Sequence, residues 1–322
     1  MIRAFLLGLL ASLFFAITFV LNRRMDIAGG HWIWTASLRF FFMMPLLSAL
    51  VIPGKRFRRV FAEIRRKPAG WILWSSVGFG AFYSFLCMAS AYGPSWLMAA
   101  AWQVTIVAGA LMSPLFYADD GSRGGGSKVR HGLPVRQLAV SALILAGVVM
   151  VQVRYAATAY SRDAVLGSAF MLVAAFAYPL GNRKMMELTG GRVDTLGRLF
   201  GMTLCSMPFW IILAVIGLLT GSRPVAGQYA QTFVVALFAG IIATLLFFKA
   251  TEMVQGNAGQ LAVVESTQAG ELVFALLGGV LVYHDTAPDL AGYVGLAVVV
   301  LGLLLNSMAA REKTPRAEGE RK

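Results

Sequence analysis

Apolar residues run along this chain in ten long blocks separated by short polar or Gly/Pro turns. The blocks cover residues 4–21, 32–52, 71–92, 96–117, 138–153, 166–181, 196–220, 232–250, 259–282 and 290–308. Several hold the roughly 20 apolar residues that cross a bilayer core. In lipid the backbone must pair its own polar groups, so blocks of this length predict helices. A membrane β-barrel would instead show alternating segments of about ten residues. The expected fold class is therefore all-α integral membrane, with ten transmembrane helices.

Composition agrees. The chain has 322 residues, 58% hydrophobic and only 13% charged, with mean hydropathy +0.71. A soluble domain would carry about 25% charged residues. The net charge of +13 does not point to nucleic acid, because Lys and Arg gather in the turns, where they set membrane orientation. One set comprises Arg3, the run 55–67, the run 123–136, Arg183, Lys184, Arg192 and the tail 311–322; the sparse other set is Arg23, Arg24, Arg154, Arg162 and Arg223. This asymmetry places both termini in the cytoplasm of a bacterial inner-membrane protein. The first block exceeds the about 7–15 residues of a cleaved signal, and is expected to be retained as a helix. Cys87 and Cys205 fall inside apolar blocks and read as buried small hydrophobes. The Gly/Ser-rich stretch 119–134 reads as a flexible cytoplasmic connector, and 311–322 as a charged tail.

The two halves of the chain echo each other. The first block closes on Phe15-Ala16 and then Asn22-Arg23-Arg24-Met25; the sixth closes on Phe176-Ala177 and then Asn182-Arg183-Lys184-Met185. Arg39 and Arg198 sit in the blocks that follow. Gln103-Val104-Thr105 can be laid against Glu265-Ser266-Thr267, and the fifth and tenth blocks share a Gly-rich close around Gly147 and Gly302. Five crossings per half set the second half upside down, the inverted-repeat plan of many secondary transporters. The expected division is 1–155, 156–310 and the tail 311–322. In this layout the chain resembles the drug/metabolite transporter superfamily, and within it the ten-helix EamA-type and multidrug-efflux branch. The resemblance implies a central cavity walled by helices one to four and six to nine, with five and ten peripheral. The single-repeat drug exporters keep an essential glutamate in their first helix. The block 4–21 has no carboxylate, so that role does not carry over.

The ninth block carries Glu265 and Glu271 with Ser266, Thr267 and Gln268 between them. An ionisable group at membrane depth costs about 2.5–3.5 kcal/mol on insertion scales, so these side chains need protein, water or a counter-charge. At 1.5 Å per residue they lie roughly 9–12 and 18–21 Å into the helix and project about 120° apart. Glu265 is expected either to bind a cationic solute or a proton, or to be a helix-end acid reaching water or Arg198. Arg39, about 10 Å below the opposite edge, matches the level of Glu271. Glu271 is expected either to pair with Arg39 or to meet the solute. Trp102 and Gln103 offer a stacking face and an amide, unless they only pack. Tyr83, Tyr178, Thr18 and Arg198 are weaker cavity candidates. Lys249 and Glu252 suit a local ion pair. Trp32, Trp34, Trp71, Trp74, Trp96 and Trp210 suit interfacial belts, and Pro45, Pro114, Pro179 and Pro208 suit kinks or hinges.

The expected function is secondary transport of a small organic solute by alternating access, most simply export, with a proton as candidate coupling ion. Uptake, a membrane-embedded transferase, and a receptor or scaffold are the rivals. His31, His131 and His284 lie in different turns, so neither a metal nor a catalytic histidine grouping is expected. No cofactor is expected either. The carboxylates suit a cation, Arg39 and Arg198 suit an acidic group, and an amino-acid-like or other zwitterionic metabolite suits both. The expected partners are that solute and the lipid bilayer, with monomer and homodimer both open.

Overall fold

The computed structural model describes residues 2–119, 128–130, 135–158, 161–254, 260, 263–264 and 266–311. Among them, seven helices are long and apolar enough to cross a membrane. These are α1 (Ile2–Ile27), α2 (Trp32–Val51), α4 (Pro68–Tyr92), α6 (Val135–Thr158), α7 (Ser161–Thr189), α8 (Thr195–Leu219) and α9 (Ala226–Glu252). Three shorter apolar helices complete the set: α5 (Ser95–Leu111), α10 (Ala269–Val282) and α11 (Leu290–Asn306). They fall on the apolar blocks read from the sequence.

Two elements depart from that reading. The basic run after α2 folds as a helix, α3 (Lys55–Arg66). Its Phe57, Val60 and Ile64 share one face, and Val60 is fully buried. The Phe57 ring lies 6.1 Å from that of Phe200 on α8. The 119–134 connector is flanked by a short antiparallel ribbon, β1 (Tyr117–Asp119) with β2 (Lys128–Arg130), in the register Tyr117↔Arg130. Among the described residues the regular structure is thus helical apart from one ribbon. Residues 120–127 and 131–134 lie outside the described ones, as does the tail from 312 onward.

Four of the apolar helices are interrupted. In α4 the stretch Ser76–Ala81 is π-helical, and in α9 so is Val235–Ile242. In α5 the helix breaks at Gln103: the Gln103 and Ile106 amides reach back three residues, to Ala100 and Gln103, instead of four. Near α10 the amides of Thr267, Gly270 and Glu271 do the same. Lost main-chain bonds in a membrane span must be replaced inside the protein. Gln103 Nε2 donates to the Ala99 carbonyl at 3.2 Å, Ser266 Oγ to Val263 at 2.8 Å and Thr267 Oγ1 to Val264 at 2.6 Å. Pro45 and Pro208 lie within α2 and α8, and Pro179 within α7. Pro114 sits in a 3₁₀ turn after α5.

α6 packs on α11 across Gly147, Gly295 and Gly302. A Cβ on Gly147 would come within 2.7 Å of Val299, and one on Gly302 within 2.8 Å of Ile144. Small residues permit this approach where lipid gives helices little hydrophobic reason to associate.

The bundle has two distinct ends. At the α3 end, Arg56 Nε meets Asp194 Oδ2 at 2.6 Å and Arg192 Nε meets Glu63 Oε1 at 2.7 Å. The hydrogen bond from Arg192 holds the Glu63 carboxyl below its usual range. At the far end, Asp285 Oδ2 accepts the Ser95 amide at 3.0 Å and its hydroxyl at 2.7 Å. Trp96 Nε1 donates to the Thr286 carbonyl at 2.8 Å. Gln228 Nε2 donates to Thr35 Oγ1 at 2.8 Å and to the His31 carbonyl at 3.1 Å. The turn carrying Asp285 holds His284 at φ 56°, a left-handed conformation that a non-glycine residue adopts at a cost.

Most tryptophans do not form belts. Trp34, Trp71, Trp96 and Trp210 are buried. Trp71 and Trp96 donate to backbone carbonyls and Trp210 to Ser206 Oγ. An indole that finds its acceptor inside the protein has no need of the lipid headgroups. Lys249 and Glu252 do pair, at 3.1 Å, and both cysteines are free and buried.

Candidate functional site

A cavity of about 230 Å³ lies among eight helices: α1, α2, α4, α5, α7, α8, α9 and α10. Neither α6 nor α11 contributes a lining residue. At the α3 end its lining reaches Thr195, the first residue of α8. Towards the far end it stops at Arg39 and Trp102, each about 10 Å along its helix. The packed turns beyond them end in the Asp285 and Gln228 contacts.

Of the residues singled out in the sequence, Thr18, Arg39, Trp102, Gln103, Tyr178, Arg198, Gln268 and Glu271 all line this cavity. Glu265 lies outside the described residues. Tyr83 is fully buried beside the cavity rather than in its wall. Its hydroxyl donates to Asn22 Oδ1 at 3.1 Å, and Asn22 Nδ2 reaches Cys87 Sγ at 3.6 Å. Tyr83 thereby presents its ring to Arg39, whose guanidinium carbon is 4.1 Å from the ring centroid. Phe40 flanks the same guanidinium at 5.8 Å.

The expected Arg39–Glu271 ion pair is not formed: no basic nitrogen lies within 4.0 Å of Glu271 among the described residues. Similar depth did not suffice, because Arg39 turns onto Tyr83 of α4 while Glu271 faces the cavity from α10. Glu271 is 8% exposed and Arg39 9%. Arg198 lines the cavity too, near the α3 end, also without a carboxylate partner among the described residues.

Facing these charges is an aromatic cluster from three helices. Phe82 and Trp102 have centroids 5.2 Å apart, Phe82 and Tyr178 4.8 Å, and Trp102 and Tyr178 5.4 Å. Tyr178 is within electrostatic reach of Glu271, Arg198 and Arg39. Phe82, Phe247, Phe248 and Asn182 also line the wall, and sequence reasoning did not mark them as site residues. For Asn182 the repeated Asn-Arg-basic-Met motif was a usable signal; an isolated Phe in an apolar block carries none. Gln103 is 2% exposed and spends an amide hydrogen on its own helix break, so its first role there is to satisfy backbone. The arrangement suits binding: π faces attract a cation, a nearby carboxylate adds charge, and the buried Arg39 and half-buried Arg198 attract an anion. Among the described residues no group of three or more His, Cys, Asp or Glu could hold a metal ion.

Comparison with known proteins agrees with this geometry. The chain is 46% identical over 318 residues to the uncharacterized protein YjlA of Bacillus subtilis (strain 168), covering 99% of this chain and 98% of that one. An uncharacterized 42.1 kDa protein of Shouchella clausii, from the 3′ region of an intracellular alkaline protease, is 46% identical over 269 residues, 84% of this chain and 70% of the relative. A solved crystal structure superposes over 97% of this chain and 99% of its own with TM-score 0.62 at 16% identity, a likeness of fold. A family model described as "EmrE: Putative multidrug resistance efflux transporter" matches residues 2–312. Nearly the whole chain is covered by that match, and the protein belongs to the EmrE family of multidrug resistance efflux transporters.

Proposed function

We propose that this protein is a secondary active exporter of a small organic solute, working by alternating access with Glu271 as its substrate- or proton-binding carboxylate. The observation that carries the reading is the cavity itself. It holds a nearly buried carboxylate with no basic partner among the described residues, is lined by three touching aromatic rings, and its lining reaches the α3 end of the bundle. A buried carboxylate without a counter-ion is costly in a membrane protein, which suits it to taking up a cation or a proton.

In this reading all ten apolar helices cross the membrane, as two inverted halves, 1–155 and 156–310. Support comes from the paired irregularities: π-helical stretches in α4 and α9, and broken helices at Gln103 and at Thr267. Broken helices around a central site are a transporter feature. The α3 end carries the basic run 55–67 and is assigned to the cytoplasm of a bacterial inner membrane, which makes the cavity inward-facing. Gln268, Gln103, Trp102, Tyr178 and Thr18 complete the solute wall, and Glu265 is kept as a second candidate carboxylate.

Inside-out vesicles, assayed with a panel of metabolites and cationic dyes with and without a proton gradient, test the reading. Gradient-driven accumulation is expected for the wild type. In Glu271→Gln it should fall to background while the protein remains folded and inserted. Undiminished accumulation in that variant would overturn the assignment.

A further inference from the structure

The cavity holds more than a site for cations. Arg39 is 9% exposed and lines the wall. Among the described residues its Nε has no hydrogen-bond partner and no carboxylate pairs with it. The Tyr83 and Phe40 rings that flank it at 4.1 and 5.8 Å offset part of the charge, yet they supply no anion. A guanidinium withdrawn from water so far inside a membrane protein normally meets one. Glu271, the opposite charge in the same cavity, is equally unpaired.

We infer that Arg39 binds an anionic group of the transported solute, so that the solute is amphoteric: an amine or quaternary ammonium, an apolar body and a carboxylate. The cationic end lies with Glu271 and the Phe82, Trp102 and Tyr178 rings, and the carboxylate with Arg39. A solute of this kind neutralises both unpaired charges at once, which neither a lipophilic cation nor a plain anion does. Tyr83, held by its bond to Asn22, is a positioning residue whose ring lies against the guanidinium of this cavity-lining arginine. The planar fork of Arg39 suits two-point recognition of a carboxylate. This inference rests on the transporter reading and refines its substrate class.

Three probes sharing one body test it by titration calorimetry on the purified full-length protein. They are phenylalanine, phenethylamine (the carboxylate removed) and N-acetylphenylalanine (the cation removed). Phenylalanine should bind the wild type more tightly than either. Arg39→Gln should lower the ratio of phenylalanine to phenethylamine affinity by about tenfold or more, as expected for one lost charge-assisted hydrogen bond. Arg39→Lys, which keeps the charge, should retain part of the preference and controls for folding. The inference is overturned if the wild type binds the amine as well as the amino acid, if it binds no phenylalanine, or if Arg39→Gln lowers all probes equally. The transporter reading is judged separately, by gradient-driven accumulation and its loss in Glu271→Gln.

Discussion

The two ends of this bundle are closed by different chemistry. At the far end, hydrogen bonds to buried groups tie separate helices together: Asp285 to Ser95, Thr286 to Trp96, and Gln228, itself fully buried, to Thr35 and His31. At the α3 end the ties are ion pairs between partly exposed side chains, with Arg56 and Asp194 41% and 51% exposed. The cavity reaches this second end. A buried hydrogen bond is costly to leave unmade, whereas an exposed ion pair contributes about 0–1 kcal/mol. The far-end contacts therefore fasten their end of the bundle more firmly than the α3-end pairs fasten theirs, and in the proposed mechanism they are the seal.

Removing the far-end seal should have the largest effect. Asp285→Ala leaves the buried Ser95 amide without its acceptor and its hydroxyl with only the Ala275 carbonyl, at about 1–3 kcal/mol. A lower unfolding midpoint is expected, together with reaction of a cysteine at Thr18 with an impermeant thiol reagent from both sides of the membrane. In the parent Thr18→Cys protein the reagent should act only from the α3 side. Gly279→Ala should act in the same direction, because its Cβ would overlap Ser95 Oγ. A Thr18→Cys site still shielded in Asp285→Ala would remove Asp285 from the seal.

A smaller change is expected at the α3 end. Arg56→Gln breaks the pair with Asp194 but spares the bond by which Asp194 caps α8, Oδ1 accepting the Gly197 amide at 2.9 Å. Its cost should stay below about 1 kcal/mol, with labelling of the Thr18→Cys site unchanged. A loss as large as that of Asp285→Ala would erase the contrast between the ends.

The smallest effect is a pH dependence. The bond from Arg192 lowers the folded pKa of Glu63 below its ordinary 4.5. Glu63 then adds stability above that ordinary value, and the contribution is lost as pH falls through the lowered folded one. Unfolding midpoints of the wild type and Glu63→Gln should differ slightly at neutral pH and converge in acid. A difference that grows on acidification would reverse the assignment.

Much of the site was legible because membrane insertion makes polar residues conspicuous. Arg39, Gln103, Gln268 and Glu271 stand out in apolar blocks, and all four line the cavity. The Trp102–Gln103 pair was visible for the same reason. Partnership was not legible. Depth along two helices put Arg39 level with Glu271, but azimuth decides contact, and azimuth depends on how each helix rotates against its neighbours. The tryptophan positions misled for a related cause, since closeness to a helix end does not say whether the ring turns to lipid or to protein.

What the sequence determined by itself is the class of molecule and the location of its helices. Runs of apolar residues leave the backbone no alternative to helix in lipid, and charge in the turns separates the two faces. It also marked where the polar groups must be gathered. Only the tertiary structure decided that α3 folds, because its single apolar face has value only against α8. Only packing joined Phe82, Trp102 and Tyr178 into one wall and set Tyr83 beneath Arg39. Helix breaks at Gln103 and Thr267 likewise needed their side-chain substitutes in place. Each of these depends on contacts between residues far apart in the chain or on exact rotations of helices, and a one-dimensional pattern of polarity carries neither.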